Sequence, residues 1–393
     1  MGAVNDRRAA KDTALAEMDV PRTLVVTNDF PPRVGGVQQY VWNLVSRLPS
    51  DRVAVLAPNW PGWREHDASQ PYAVHRWPTS FLWPTADLAR RVRSLVREHD
   101  ADTVLFGHGF PLPLLAPGLR EHGVPAVVLT HGAEVWMAAA PGIAGAFGWA
   151  CSAAREVTAI TRYTARLIRA SIPPSVPITI LPPAVDAERF SPEVDGASVR
   201  QRHELDGRRV VLCVSRLVPR KGQDVLIRGW ADVRRIVPEA VLLVVGDGPS
   251  GPALARLATD APRGSVVFVG EVPDRDLPRY YAACDVFAMP CRSRWGGLEV
   301  EGFGIVFLEA ASTAKPVIAG RSGGSEEAIV DGETGLMVEG AEPKAVALAV
   351  ATVLDDERLA DRMGLAGRDR VTRSFTWDRR TAQLVRVLAR AAA

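Results

Sequence analysis

Short apolar runs alternate with longer amphipathic segments along the whole chain. Val, Ile and Leu dominate the runs, and most are apolar at every position, which is typical of parallel strands covered by helices on both faces. The spacing between runs leaves room for a helix each time, so it predicts repeated βαβ crossovers. The predicted strands lie at 23–28, 53–58, 72–77, 103–108, 126–131, 156–160 and 178–183, then at 210–216, 240–247, 265–271, 285–290, 316–320 and 335–338.

An aperiodic segment rich in Pro and charge, PPAVDAERFSPEVDG at 182–196, separates the two sets of strands. A chain of 393 residues exceeds one hydrophobic core, so we predict an α/β protein of two doubly wound, Rossmann-like domains that face each other across a cleft. We expect a disordered lead-in at 1–20, an N-terminal domain at 21–187 and a C-terminal domain at 188–375. The helix predicted at 376–393 is expected to pack back on the N-terminal domain.

Composition and charge exclude several classes of protein. The net charge is only +2, which argues against nucleic acid as a partner. The four cysteines form no CxxC pair, which favours reduced thiols in a cytosolic protein over a disulfide framework or a cysteine zinc site. No apolar run reaches the ~18 residues of a membrane span, and the polar N-terminus lacks a signal core. Only four of the 47 basic residues are lysines, so a lysine inside a motif is expected to be needed as a compact charge.

Two motifs in the first half place polar groups at the ends of predicted strands. PPRVGGVQQY (31–40) puts Gly35 and Gly36 at the start of an amphipathic helix, where free amides favour a phosphate. THGAEVW (130–136) places His131 at a strand end, and FGHGF places His108 similarly as a less favoured candidate. A flexible turn and a core histidine are the alternatives.

Two motifs in the second half supply complementary charge. VSRLVPRKGQD (214–224) brings Arg216 and Lys221 to a strand end, where a guanidinium and an ammonium suit a diphosphate. EGFGIVFLEA (301–310) places Glu301 in a loop and Glu309 in a helix predicted at 304–312. Between the two acceptors lies a helix N-terminus that favours anions, formed by the amides of Gly304, Ile305 and Val306. This arrangement suits a nucleoside-diphosphate sugar.

Two further motifs have simpler explanations. GDGPSG (246–251) fits the dinucleotide fingerprint, with Glu271 at the spacing of its ribose acid. Pro249 and Pro252 favour an ordinary strand-to-helix turn instead. DRD (274–276) resembles a metal-binding pair of carboxylates, but Asp274 or Asp276 as a helix N-cap explains it equally well.

These segments together resemble the family 4 retaining glycosyltransferases of the two-domain GT-B architecture. EGFGIVFLE resembles the E-x7-E motif, and THGAEVW, SRLVPRKG, VVGDGP, ACDVFAMP and GGSEEAIVDGETGLMV follow in the family's order across nearly all of 20–390. The resemblance implies that Glu309 holds the ribose hydroxyls. It implies that Arg216 and Lys221 neutralise the diphosphate, whose distal phosphate Gly36 touches.

The resemblance also implies how the sugar and the base are held. Glu301, with amides near Phe303 and Gly304, would bind sugar hydroxyls, and His131 would lie beside the reacting carbon. The backbone at Val272 would meet the base. The family needs no metal or other cofactor, so none is expected here.

At the subfamily level, LVVTNDFPPRVGGVQQYVWNLVSRLP (24–49) resembles actinobacterial enzymes that add the second mannose to phosphatidylinositol on the inner face of the plasma membrane. The resemblance implies GDP-mannose as donor and a phosphatidylinositol monomannoside as lipid acceptor. Another donor and acceptor pair, a nucleotide-sugar epimerase and, more distantly, an NAD-dependent oxidoreductase remain as alternatives.

One helical segment gives physical support for a membrane partner. The pattern at 87–99 predicts a helix with an apolar face and a basic face, suited to an anionic membrane surface or to solvent. The nearby NWPGW (59–63) and FLW (81–83) offer aromatic side chains that we expect to be exposed at an interface. The basic face consists of Arg90, Arg91, Arg93 and Arg97.

Overall fold

The computed structural model describes residues 18–132, 134–139 and 142–393. Residues 1–17 of the predicted lead-in lie outside these ranges. The chain divides into two compact units, an N-terminal unit of 1–183 with 377–393 and a C-terminal unit of 184–376. The predicted boundary at 187 and 188 lies in the Pro-rich connecting segment. No helix in the described ranges combines the length and the apolarity needed to cross a membrane.

The described part of the N-terminal unit contains one parallel sheet of seven strands in the order β3-β2-β1-β4-β5-β6-β7. The order reverses direction between β1 and β4, so the carboxyl ends of these strands flank a topological switch point. All seven predicted strands are confirmed; the five inner strands are buried at every position, and the two edge strands are partly exposed. They are β1 (Thr23–Val26), β2 (Val53–Pro58), β3 (Ala73–Trp77), β4 (Thr103–Phe106), β5 (Ala126–Thr130), β6 (Glu156–Ala159) and β7 (Ile178–Ile180).

Helices cover both faces of this sheet. The third helix buries Leu88, Val92 and Leu95 in the core, as its apolar period predicts. Its N-terminus is capped by the hydroxyl of Thr85, which accepts a hydrogen bond from the amide of Leu88. The helices are α1 (Gly36–Val45), α2 (Trp63–Ala68), α3 (Ala86–Glu98), α4 (Ala116–Glu121), α5 (Glu134–Ala139), α6 (Ile143–Ser152) and α7 (Arg162–Arg169).

The C-terminal unit repeats the same architecture with a six-stranded parallel sheet in the order β10-β9-β8-β11-β12-β13. Its switch point lies between β8 and β11. The strands are β8 (Arg209–Val214), β9 (Ala240–Val245), β10 (Val266–Gly270), β11 (Val286–Met289), β12 (Val317–Gly320) and β13 (Gly335–Val338). The helices are α8 (Ala197–Arg202), α9 (Gln223–Ile236), α10 (Gly251–Leu257), α11 (Leu277–Ala283), α12 (Ile305–Ser312), α13 (Pro343–Asp355) and α14 (Glu357–Ser374).

The final helix, α15 (Trp377–Ala392), belongs to the N-terminal unit, where it packs against α1, β4 and β5. Arg390 Nη2 donates to Glu156 Oε1 at 2.7 Å, which pairs a carboxylate that is only 3% exposed. Gln383 Nε2 donates to the carbonyl of Ile180 at 2.6 Å. The helix therefore completes both the core and the polar pairing of its unit.

The four cysteines, Cys151, Cys213, Cys284 and Cys291, are buried and carry free thiols. Burial raises the pKa of each thiol to about 12, so each is protonated near neutral pH.

Candidate functional site

In the C-terminal unit, the two motifs at the β8/β11 switch point form a buried ion pair. Lys221 Nζ lies 2.6 Å from Glu301 Oε2, and the two side chains are 12% and 8% exposed. Lys221 ends a short 3-10 helix, and Gly222 follows with a φ of 79°. A Cβ on Gly222 would collide with the carbonyl of Pro290, so the turn that delivers Lys221 requires glycine.

Glu301 is also fixed through its backbone. Its N–H donates to the hydroxyl of Ser322 at 3.1 Å, and its carbonyl accepts from the amide of Gly324 at 2.8 Å. Gly323, with a φ of 59°, packs so closely that a Cβ would meet the carbonyl of Glu301. The backbone of Glu301 is therefore fixed by the segment that follows β12.

Helix α12 begins directly after this carboxylate. Gly304 precedes the helix with a φ of 87°, and the ring of Phe307 occupies the space that a Cβ would take. The helix starts at Ile305, one residue later than predicted. Because the first N–H groups of a helix lack intrahelical acceptors, the amides of Gly304, Ile305 and Val306 can receive an anion.

Glu309, one turn into α12, is half-buried and accepts a 2.6 Å hydrogen bond from the hydroxyl of Tyr281. Burial raises the pKa of Glu309 to about 7, although the Tyr281 hydrogen bond and the charge of Arg189 each act to lower it. The Tyr281 ring is held at 5.5 Å from the ring of Phe190 and 5.6 Å from that of Phe287. Glu309 therefore titrates near neutral pH, whereas burial raises the pKa of Tyr281 well above its usual value.

The DRD segment lies directly before α11. Asp274 pairs with Arg189, whose Nη2 lies 2.8 Å from Asp274 Oδ2. Asp276 occupies the N-cap position of α11, as predicted, but its side chain accepts no capping hydrogen bond. The Arg189–Asp274 pair contributes to the electrostatics of Glu309.

The remaining residues of the C-terminal unit that were predicted to bind the nucleoside-diphosphate sugar differ in exposure. Arg216 is exposed, and among the described residues no carboxylate forms an ion pair with its guanidinium. Its backbone is fixed by Gln223, whose Nε2 donates to the Arg216 carbonyl at 3.2 Å. Phe303 is buried against Phe375, with ring centroids 5.8 Å apart, and Val272 is half-buried after β10.

GDGPSG forms the turn between β9 and α10. A Cβ on Gly246 would collide with the carbonyl of Ser215, and one on Gly248 would collide with the backbone of Leu217. Both glycines are therefore required by packing within the unit. This explains the motif without a dinucleotide.

In the N-terminal unit, His131 belongs to a polar cluster at the ends of β4 and β5. Its Nε2 lies 2.7 Å from the carbonyl of Gly107, so Nε2 carries a proton. Burial lowers the pKa of His131, against the opposing charge of Glu134, and this favours a neutral ring whose Nδ1 is an acceptor. His108 lies beside it, with ring centroids 5.6 Å apart.

Glu134 holds this cluster together and was not predicted from the sequence. Its carboxylate is fully buried and accepts hydrogen bonds from the amides of His131 at 2.9 Å and Gly109 at 3.2 Å. His108 Nδ1 lies 3.3 Å from the same carboxylate. Burial opposes ionisation of Glu134, but the neighbouring His108 and His131 hold its pKa below the usual value.

Gly35 and Gly36 start α1 as predicted, and they differ in their surroundings. A Cβ on Gly35 would collide with the amide of Gln38, a side chain held by a 2.6 Å hydrogen bond to Asp29. A Cβ on Gly36 would meet no protein atom within 4 Å. Packing within the unit therefore does not require glycine at Gly36.

The amphipathic helix α3 is confirmed over Ala86–Glu98, but its charge is partly neutralised. Arg90 pairs with Asp87, and Arg91 pairs with Glu98 at 2.9 Å. Arg97 is exposed and Arg93 is half-buried.

The aromatic prediction was only partly right. Trp83 is 61% exposed. Trp60 and Trp63 are half-buried, because the guanidinium groups of Arg33 and Arg64 stack over their rings at 4.9 Å and 4.6 Å.

The sequence matches two family descriptions, Glycosyltransferase Family 4 over residues 34–189 and Glycosyl transferases group 1 over residues 197–370. It is 44% identical over 93% of its length to a GDP-mannose-dependent alpha-(1-6)-phosphatidylinositol monomannoside mannosyltransferase of Mycolicibacterium smegmatis, of which it covers 98%. The chain belongs to the family 4 glycosyltransferases. An enzyme of the same name from Mycobacterium tuberculosis is 42% identical to this glycosyltransferase over 92% of the chain and 97% of the relative.

Solved structures support the fold of this glycosyltransferase. Anabaena Alr3699/HepE in complex with UDP superposes with a TM-score of 0.78 at 20% identity, over 94% of this chain and 99% of the other. WaaG, a glycosyltransferase involved in lipopolysaccharide biosynthesis, gives a TM-score of 0.68 at 19% identity, over 93% and 99% of the two chains. The predicted GT-B class of two Rossmann-like domains is thereby confirmed.

Within the C-terminal unit of this glycosyltransferase, the predicted carboxylates each have a partner. Lys221 pairs with Glu301, and Tyr281 pairs with Glu309. Tyr281 and Glu134 were missed because each lies in a helical pattern that core packing alone explains. The sequence signal of Glu134 is an acid three residues after the strand-end histidine His131.

Proposed function

We propose that the chain is a retaining mannosyltransferase that transfers mannose from GDP-mannose to a phosphatidylinositol monomannoside. The observation that carries the proposal is the 44% identity over nearly the full length of a relative with that named activity. The paired groups at the β8/β11 switch point supply the chemistry that a nucleoside-diphosphate sugar requires.

Cleavage of the anomeric C–O bond leaves negative charge on the diphosphate. We assign stabilisation of that charge to Lys221, to Arg216 and to the N–H groups at the start of α12. Lys221 forms an ion pair with Glu301 at 2.6 Å. Binding of the diphosphate recruits the ammonium, and Glu301 then accepts hydrogen bonds from sugar hydroxyls. Because fixed cationic groups supply this charge, the proposed donor site needs no divalent cation.

The remaining donor contacts follow the roles that the family resemblance implies. Glu309, as a carboxylate, accepts hydrogen bonds from both ribose hydroxyls, and the backbone at Val272 meets the base. Gly36 approaches the distal phosphate, and the neutral His131 contacts the sugar beside the reacting carbon. The absence of a protein constraint at Gly36 supports a ligand at that position.

The reaction then proceeds with retention of configuration. The sugar becomes oxocarbenium-like as the diphosphate departs, and the acceptor hydroxyl attacks from the same face. The departing phosphate oxygen takes the proton of that hydroxyl, so no side chain acts as a nucleophile.

Product analysis tests the activity directly. Incubation with radiolabelled GDP-mannose and phosphatidylinositol monomannoside is expected to yield a lipid-soluble dimannoside and GDP. Release of free sugar without lipid product would indicate an epimerase or hydrolase and contradict the proposal. Preferential thermal stabilisation by UDP- or ADP-sugars over GDP-mannose would contradict the assigned donor.

The role of Lys221 is best tested together with Glu301. Lys221→Met alone leaves a buried carboxylate unpaired, which costs about 3–5 kcal/mol of stability. The double variant Lys221→Met/Glu301→Gln removes both charges, so we expect it to melt near the wild-type temperature. Its kcat should fall by roughly 10²–10³ if these groups stabilise the transition state. A kcat within a few-fold of wild type would contradict the assignment.

We further propose that the enzyme binds the cytoplasmic, inner face of the plasma membrane through α3. The support is the basic face that includes Arg93 and Arg97 and the exposed Trp83 nearby. The wild-type protein should float with vesicles containing phosphatidylinositol but not with neutral vesicles. Arg93→Gln/Arg97→Gln should reduce flotation.

A charge-matched control tests whether this effect is local. Arg228 and Arg256 are exposed on α9 and α10 of the C-terminal unit. The variant Arg228→Gln/Arg256→Gln should float as the wild type does. Equal flotation of both double variants would contradict a role for α3.

A further inference from the structure

Two histidines and a carboxylate meet at the edge of the N-terminal sheet, beside the C-terminal end of α3. His75 lies on β3, and Glu98 and His99 lie at the C-terminal end of α3. The Nε2 atoms of the two histidines are 2.7 Å apart, and one ligand atom from each of the three residues lies within 4.8 Å of the others. Both imidazoles are half-buried.

Neighbouring groups fix the orientation of these side chains. Glu98 Oε1 accepts hydrogen bonds from Arg91 Nη1 at 2.9 Å and from Ser94 Oγ at 2.8 Å. Arg91 Nη2 also lies 3.4 Å from His75 Nδ1. A guanidinium only donates, so His75 Nδ1 is the acceptor and the proton of this ring lies on Nε2, aimed at His99. The rings therefore share one proton between two nitrogens that both point into the cluster.

We propose that His75, Glu98 and His99 bind one divalent transition-metal ion of the zinc class. Two imidazoles and a carboxylate are a ligand set that such ions favour, and a solvent molecule completes a tetrahedron. Tetrahedral geometry requires the two ligand nitrogens to lie about 3.3 Å apart, so the rings separate by about 0.6 Å on binding.

Binding requires a change of tautomer in His75. Both Nε2 atoms must present a lone pair to the ion, so the proton of His75 moves from Nε2 to Nδ1 and no net proton leaves the two rings. Arg91 then gives up its contact with His75 and keeps its ion pair with Glu98. The hydrogen bonds from Arg91 and Ser94 that orient the Glu98 carboxylate are therefore kept when the ion binds.

The position of the site assigns it a structural role. β3 is an edge strand, and His131 follows β5, four positions across the sheet order. At a spacing of ~4.8 Å per strand, the two sites are separated by roughly 19 Å. The ion joins the end of α3 to the sheet edge and takes no part in the proposed donor chemistry.

Calorimetric titration of untagged, chelator-treated protein with zinc chloride tests the site. We expect one ion per chain. His75→Ala and His99→Ala should each weaken binding at least tenfold. His122→Ala is the control, since His122 is exposed and bonds to the carbonyl of Gly118 within its own helix.

Thermal melting provides the second readout. Saturating zinc should raise the melting temperature of wild type and of His122→Ala, and should leave His75→Ala and His99→Ala unchanged. If an alanine variant does not fold, His99→Gln is used in its place, because it keeps a polar side chain at the end of α3. Absence of binding by the wild type, or equal binding by His99→Gln and wild type, would overturn the proposal whether or not the enzyme transfers mannose.

Discussion

Acidification is expected to weaken donor binding through Glu309. Burial raises the pKa of this carboxyl to about 7, so the carboxylate that would accept both ribose hydroxyls is half protonated near neutral pH. A protonated carboxyl loses part of its acceptor capacity and gains a donor. If only the ionised form binds, the affinity for GDP-mannose falls as the pH drops through about 7.

The size of the effect follows from the pKa. At pH 6 about a tenth of Glu309 is ionised, so Kd should be roughly tenfold higher than at pH 8, or about 1.4 kcal/mol weaker. Acidification has the opposite effect on the folding stability of the protein without its donor, because it raises that stability. A raised folded-state pKa makes Glu309 destabilising as the pH rises from about 4.5 to about 7. Relative to Glu309→Gln, the wild type should lose up to about 3 kcal/mol across that range.

Calorimetry with GDP-mannose between pH 5.5 and 8.5 measures the binding effect. The bridged diphosphate of this donor has no proton to exchange in that range, so the titration reports on the protein. Tyr281→Phe removes a hydrogen bond that lowers the pKa of Glu309, so the midpoint should move to higher pH while the ring keeps its packing. Tyr280→Phe is the matched control and should leave the midpoint in place. A Kd that is constant across the range, or a downward shift in Tyr281→Phe, would refute the reasoning.

Three further predictions concern the N-terminal unit. Gly36→Ala should melt within about 2 °C of wild type, because the added methyl group meets no protein atom. Its kcat/KM should nevertheless fall at least tenfold if a phosphate lies beside Gly36. An unchanged kcat/KM would contradict the assignment of Gly36 to the phosphate. Gly35→Ala should lower the melting temperature by several degrees through its collision with Gln38, which thermal melting would detect. Glu134→Gln should lower the free energy of unfolding, measured in urea, by about 1–3 kcal/mol, because it removes the charge that pairs with His108 and accepts two amide hydrogen bonds. Equal stability of the variant and the wild type would contradict the role of Glu134 as the centre of the cluster.

The strands could be predicted because their signal is local. A parallel strand buried on both faces needs no partner to be recognised, and runs such as VAVLAP (β2) and AVLLVV (β9) coincide with strands that are buried at every position. The same logic located Arg216 and Lys221 at the end of β8 and the two glutamates after β11. Since β8 and β11 are neighbours in the sheet, those motifs meet at one edge.

The pairing between these motifs could not be predicted, because it depends on side-chain reach. Lys221 and Glu301 lie 80 residues apart, and no pattern in either motif indicates that one neutralises the other. Tyr281 lies in a helix whose apolar period accounts for it without a hydrogen bond to Glu309. Trp60 was expected at the surface, but exposure depends on the guanidinium that Arg33 places over its ring.

The place of α15 in the N-terminal unit has a consequence for biosynthesis. The ribosome synthesises residues 18–183 first and the helix at Trp377–Ala392 last. The core of the N-terminal unit therefore cannot be completed until the entire C-terminal unit has been synthesised. Until then Glu156 lacks Arg390 and the apolar positions against α1 stay open to water. The nascent chain thus spends most of its translation with one half incomplete, and expression of that half alone is expected to yield aggregates rather than a free-standing domain.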